Sequence, residues 1–113
     1  MEIKRMEIFR INLSGGVGRE ENKIRPCLVV SNDIGNKCSD IITIIPITST
    51  KRMLPTHVWI EKDDVNGLLN DSMIIAEQLR TIDKSRIIEY MGCIDSSEIE
   101  EKIINAIRIA LCA

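Results

Sequence analysis

Arg25 heads an apolar run, Arg25-Pro26-Cys27-Leu28-Val29-Val30-Ser31, directly after a glycine-rich loop at 14–23. A charge at the mouth of a core strand is costly to place unless the site uses it. Other polar residues fall at comparable positions. Glu20 lies inside the glycine loop, Thr48 ends the strand-like "IIPITS", and Ser49, Lys51 and Arg52 follow it. Further on, "AEQLR" supplies Glu77, Gln78 and Arg80. Taken singly, each reads as a surface residue. Together they suit a phosphodiester. Arginine offers paired donors to phosphate oxygens and stays charged at any relevant pH, a threonine hydroxyl adds a donor, and a glutamate can accept a proton.

Other chemistries find little support. His57 is the only histidine, so no Cys/His or Ser/His nucleophile pair has an orienting partner, and we read His57 as structural, held by a hydrogen bond. "GGVG" lacks the lysine and the following helix of a phosphate loop. Asp63-Asp64 reads as a solvated loop rather than a metal site. The four cysteines, Cys27, Cys38, Cys93 and Cys112, form no C-x-x-C pair, so we expect reduced thiols, no metal and no cofactor.

With 113 residues the chain is expected to be one domain, 1–113. Hydrophobic residues make up 44% and charged residues 28%, which excludes a disordered chain. The three aromatics (Phe9, Trp59, Tyr90) are too few for a base-stacking platform, and the core must be aliphatic. No apolar run reaches the ~20 residues of a membrane span, and "MEIKRMEIFRINL" is too charged for a signal sequence, so a cytoplasmic protein without membrane contact is expected. The net charge of −2 hides an asymmetry. Residues 1–56 hold nine Lys/Arg against six Asp/Glu, whereas 57–113 hold six against eleven. A basic surface built by the first half is compatible with a polyanionic partner.

The elements that must position these residues are short. Strands are expected over 7–13, 25–31, 41–49, 56–60, from 72, and over 86–94, with 32–40 a turn. Pro46 suggests that its strand is an edge or carries a bulge. From Ser97, Ile99, Ile103, Ile107 and Leu111 recur at four-residue steps with Ile104 beside them, the pattern of an amphipathic helix. Asp95, Ser96 or Ser97 can cap it, and Ser97 with Glu100 fits a capping box. The expected architecture is a mainly β, strongly bent small barrel with one C-terminal helix.

In order and spacing, "GREENKIRPCLVVSNDIGN", "IIPITS", "LPTHVWI", "LLNDSMIIAEQLRTIDKSRI" and "MGCI" resemble the MazF/PemK family, the mRNA-cleaving toxins of bacterial toxin–antitoxin systems. Each motif is weak alone, but the string spans the chain from Lys4 to the last helix. The resemblance implies an SH3-like barrel of the PemK/CcdB type, a homodimer, a MazE-like antitoxin as partner, and sequence-specific, ribosome- and metal-independent cleavage of single-stranded RNA. It implies attack by the RNA's own 2′-OH, leaving 2′,3′-cyclic phosphate and 5′-OH ends. That would explain the missing protein nucleophile, and DNA would not be cut.

By the same resemblance Arg25, Thr48 and Glu20 are catalytic, and Glu77 and Gln78 grip RNA. Ser49, Lys51 and Arg52 are expected along the RNA path, and Asn32, Glu77 and Gln78 can read free base edges. Two positions depart from the family pattern. Arg19 stands where many members have a small hydroxyl residue and is expected to contact phosphate, and "MEI" at 6–8 replaces a common Gly-Asp. Two rivals remain: a gyrase-poisoning toxin on the same barrel, and a non-catalytic SH3-like binding module.

Overall fold

A computed structural model describes residues 2–15, 17–18 and 23–112. Seven strands and two helices run in the order β1 (Glu7–Asn12), β2 (Ile24–Val29), α1 (Asp33–Cys38), β3 (Ile41–Thr48), β4 (His57–Ile60), β5 (Ser72–Ile75), β6 (Arg80–Asp83), β7 (Ile87–Cys93) and α2 (Ser97–Cys112). The strands form one antiparallel sheet ordered β4-β5-β3-β2-β1-β7, with β6 paired to β3 off that path. The expected mainly β fold with a C-terminal helix is present.

The sheet curls but its ladder does not close among the described residues. The connection after β4 spans the gap instead: the Cys93 amide of β7 donates to the Val65 carbonyl at 3.0 Å. Two glycines permit that approach. A Cβ on Gly67 (φ +67°) would lie 2.1 Å from the Met91 carbonyl oxygen, and one on Gly92 would lie 2.2 Å from the Val65 carbonyl oxygen.

Period-two alternation sorts the strand residues onto two cores. Ile8, Leu28, Ile45, Ile47, Val58 and Ile74 pack toward α2, which contributes Ile103 and Ala106. Phe9, Ile11, Cys27, Val29, Ile42 and Ile44 fill the opposite face. The helix stripe differs from four-residue spacing. A true helix advances 3.6 residues per turn, so Ala106 and Ala110 join Ile99, Ile103 and Ile107 while Leu111 drifts to the surface. Ser96 is the cap: its hydroxyl accepts from the Ile99 amide at 3.3 Å. The Ser97–Glu100 box does not form, because Glu100 pairs with Arg5 at 2.7 Å.

Two further expectations are corrected. The turn expected at 32–40 contains α1, capped by Asn32, whose side chain accepts from the Gly35 amide at 2.8 Å. Six residues are too few to show helical periodicity. Pro46 does not mark an edge: β3 is central, flanked by β2, β5 and β6. Its other flank changes partner at that point, since Ile41–Ile44 pair with β6 and Ile47–Thr48 with β5, so the proline falls in a break between two ladders.

Candidate active site

The site forms where β2 parts from β3. Residues 24–26 of β2 pair with β1, but the ladder to β3 begins only at Cys27, opposite Pro46. Pro26 lacks an amide hydrogen and sits where β3 makes no demand for one. Continuing the register two residues sets Arg25 across from Thr48. Backbone pairing there is replaced by side chains: Arg25 donates from its guanidinium to Thr48 Oγ1 at 3.4 Å. The contact is long for a hydrogen bond.

Thr48 is fixed from behind. It pairs with Met73 of β5, and its hydroxyl accepts from the Thr50 amide at 3.3 Å. With the hydroxyl oxygen accepting, its own hydrogen is available for donation outward. Arg25 and Ser49 also border a cavity of about 230 Å³ whose walls include Arg10, Leu68, Asn70 and Ser72. Arg10, which the sequence reading did not single out, pairs with Glu89 at 3.1 Å across the β1–β7 ladder. A charged residue in an imperfectly alternating strand carried no sequence signal for it.

The loop 49–56 leaves Thr48 and runs back along the sheet to β4. Lys51 Nζ stands 5.0 Å from the centre of the Trp59 ring, a cation–π contact that holds the amine on the surface. The Arg52 carbonyl lies 2.5 Å from His57 Nδ1. The loop is exposed and basic, yet anchored at two points by side chains of one strand.

Glu77 sits on a 3-10 turn, Ala76–Gln78, directly after β5. Both of its oxygens are engaged within the protein: Oε1 accepts from the Thr56 hydroxyl at 2.8 Å and Oε2 lies 2.7 Å from His57 Nε2. Partial burial pushes its carboxyl up, but hydrogen bonds from His57 and Thr56 outweigh that and hold it below the ordinary range. Gln78 is half-buried beside it.

Arg25, Thr48, Ser49, Lys51 and Arg52 are therefore brought to one region, and Glu77 joins it through His57. Asn32 is not brought there. It follows the far end of β2, and its side-chain oxygen is spent on capping α1, so no base-reading role comes from this arrangement. Arg80 pairs with Ile44 on the β6 side of β3. Glu20 and Arg19 lie outside the described residues. Cys27 is buried and Cys93 half-buried, with Cys38 and Cys112 exposed, and none of the four is in a disulfide among the described residues. Among the described residues no helix is long and apolar enough to cross a membrane.

Comparison with known proteins defines the class. Residues 4–111 match the model of the PemK-like, MazF-like toxins of type II toxin–antitoxin systems, and the chain belongs to that family. It is 40% identical to Endoribonuclease EndoA of Bacillus subtilis (strain 168), over 98% of this chain and 96% of that protein. It is 38% identical to Endoribonuclease MazF of Staphylococcus saprophyticus, over 96% of this chain and 91% of that one. Among solved structures, an endoribonuclease in complex with its cognate antitoxin from a mycobacterial species superposes with a TM-score of 0.79 at 26% identity, covering 96% and 94% of the two chains. MazF from Deinococcus radiodurans superposes with a TM-score of 0.86 at 19% identity, covering 100% and 99%, a likeness of fold.

Proposed function

We propose that this chain is the toxin of a type II toxin–antitoxin system, an endoribonuclease that cuts single-stranded RNA between Arg25 and Thr48 without a metal ion. It acts as one domain within a homodimer, in the cytoplasm, and is restrained by a MazE-like antitoxin. The observation that carries this reading is the Arg25–Thr48 pair, a guanidinium and a hydroxyl 3.4 Å apart where β2 and β3 separate. A binding module or a gyrase-poisoning toxin has no need of that pair. The named endoribonucleases at about 40% identity support it.

The ribose 2′-OH adjacent to the scissile phosphate supplies the nucleophile. Its oxygen bonds to phosphorus, the bond from phosphorus to the 5′-oxygen breaks, and the products are a 2′,3′-cyclic phosphate and a 5′-OH. Glu20 accepts the 2′-OH proton, and Arg25 stabilises the charge gathering on the non-bridging oxygens. Thr48 donates to one of those oxygens. A preorganised donor in such a position contributes roughly 3–4 kcal/mol to the transition state. Arg25 is unsuited to be the base, because a guanidinium stays protonated at neutral pH and has no lone pair to offer. It can instead deliver a proton toward the departing 5′-oxygen. Lys51, Arg52 and Arg19 hold flanking phosphates, and Gln78 reads a base edge.

Incubating the purified protein with a long RNA in EDTA and mapping the new ends tests this. Discrete cuts with 5′-OH termini are expected, and Arg25→Ala should slow cleavage by about 10²–10³. Intact RNA with inhibited gyrase would establish the gyrase-poisoning alternative instead, and intact RNA with active gyrase a binding module.

A further inference from the structure

His57 is placed between two acceptors. Its Nδ1 lies 2.5 Å from the Arg52 carbonyl oxygen and its Nε2 lies 2.7 Å from Glu77 Oε2. A carbonyl oxygen only accepts, so Nδ1 carries a hydrogen. A neutral ring would then turn a lone pair on Nε2 toward the carboxylate. A second proton is therefore needed in the Nε2–Oε2 contact. Glu77 does not supply it: its other oxygen already accepts from Thr56, and a carboxyl open to water is ionised at neutral pH. The ring satisfies both neighbours as an imidazolium, donating from each nitrogen. Its side chain is 5% exposed, so the ring itself is packed within the protein, while the Glu77 carboxylate stays open to solvent.

Trp59 lies two residues along β4 from His57, so the two side chains point to the same side of the strand. Each holds a part of the same loop: Trp59 carries the Lys51 amine, and His57 binds the carbonyl of the next residue, Arg52. Among the described residues, Lys102 of α2 also faces this region, where it lines a cavity with His57 and pairs with Glu98. The chain thus couples a short relay, Glu77–His57, to the backbone of its basic loop.

We propose that His57 is a positioning residue, an imidazolium clasp from Glu77 to the Arg52 carbonyl that sets Lys51 and Arg52 beside the Arg25–Thr48 pair. This rests on the endoribonuclease reading for its consequence, though not for its geometry. Without the clasp the loop 49–56 samples other conformations, and its cations must be ordered anew each time RNA binds. The loss appears in binding rather than in the chemical step.

The single histidine makes the test direct. The ring-nitrogen NMR spectrum of the intact protein should show hydrogens on both nitrogens, and a ring with one bare nitrogen overturns the clasp. In hydrogen exchange, His57→Phe should speed the amides of Thr50 and His57 or its replacement at least tenfold while β1–β3 stay protected. His57→Asn, which keeps a donor near the Nδ1 position, should restore most of that protection. Equal exchange in all three proteins overturns the proposal, and so does equal loss in both variants. With RNA, His57→Phe should raise KM several-fold and leave kcat within about twofold, and the reverse split also overturns it. If the wild type cuts no RNA, the reaction reading falls while spectrum and exchange still judge the clasp.

Discussion

The centre of the site is two side chains, Arg25 and Thr48, joined by one long contact. A single hydrogen bond uses one of the guanidinium's five N–H groups and leaves the threonine hydroxyl its own hydrogen, so the two can meet a phosphate oxygen together. Thr48→Val keeps the shape and the β-branch but deletes the hydroxyl, so folding should be nearly unchanged while cleavage drops about ten- to a hundredfold, as expected for one lost donor. Single-turnover rates beside a thermal melt check this. Glu77 gives a second prediction. Its folded carboxyl is held below the ordinary value near 4.3, so it adds stability above that pH and loses it as pH falls through the folded value. Exposure of the carboxylate keeps that contribution small. The stability of Glu77→Gln should therefore fall less steeply below about pH 5 than that of the wild type, measured by urea titration at a series of pH values.

At the scale of elements, the sheet is bent around approaches only glycine allows. The connection after β4 lies against β7 so closely that a methyl group on Gly92 would meet the Val65 carbonyl oxygen and the Asn66 backbone. Backbone atoms on both sides cannot yield as a flexible side chain does. Gly92→Ala should cost about 3 kcal/mol, and calorimetry should show Tm lowered by roughly 10 °C. The strands themselves were legible in the sequence, because β-branched alternation in "IIPITS" and "THVWI" is a local property. The pairing of Arg25 with Thr48 was not local. It follows from the β2–β3 register, and no propensity states where two strands part. The family resemblance supplied that pair, and the structure supplies the geometry. Asn32 shows the opposite limit: an amide seven residues beyond Arg25 looked available for base reading, but β2 carries it to the other end of the sheet, where it caps α1. The His57 clasp was half visible. A histidine two residues before a tryptophan in an alternating strand places both on one side, yet its partners come from a loop and a turn twenty residues away.

For the whole molecule, a net charge of −2 would seem to repel RNA, and its distribution decides otherwise. The first 56 residues carry an excess of cations, including Arg25, Lys51 and Arg52, while the acidic excess belongs to the second half. Within about a Debye length, 8 Å at physiological salt, an approaching phosphate senses the local cations rather than the molecular sum. Binding of single-stranded RNA should therefore weaken with salt in spite of the overall negative charge. Each neutralised phosphate contributes about 0.7 to the slope of log K against log salt, so three cations in contact imply a slope near −2. Replacing Lys51 and Arg52 together by alanine should reduce its magnitude by about 1.4, while replacing Lys62 of the acidic half should leave it unchanged. Fluorescence anisotropy with Arg25→Ala, expected to cut about 10²–10³ times more slowly, measures this before the substrate is consumed. Its slope should already be shallower by about 0.7, and the loop variants should subtract from that value. A slope near zero in all of them would mean that base contacts rather than phosphates hold the strand, and the basic loop would lose its assigned task.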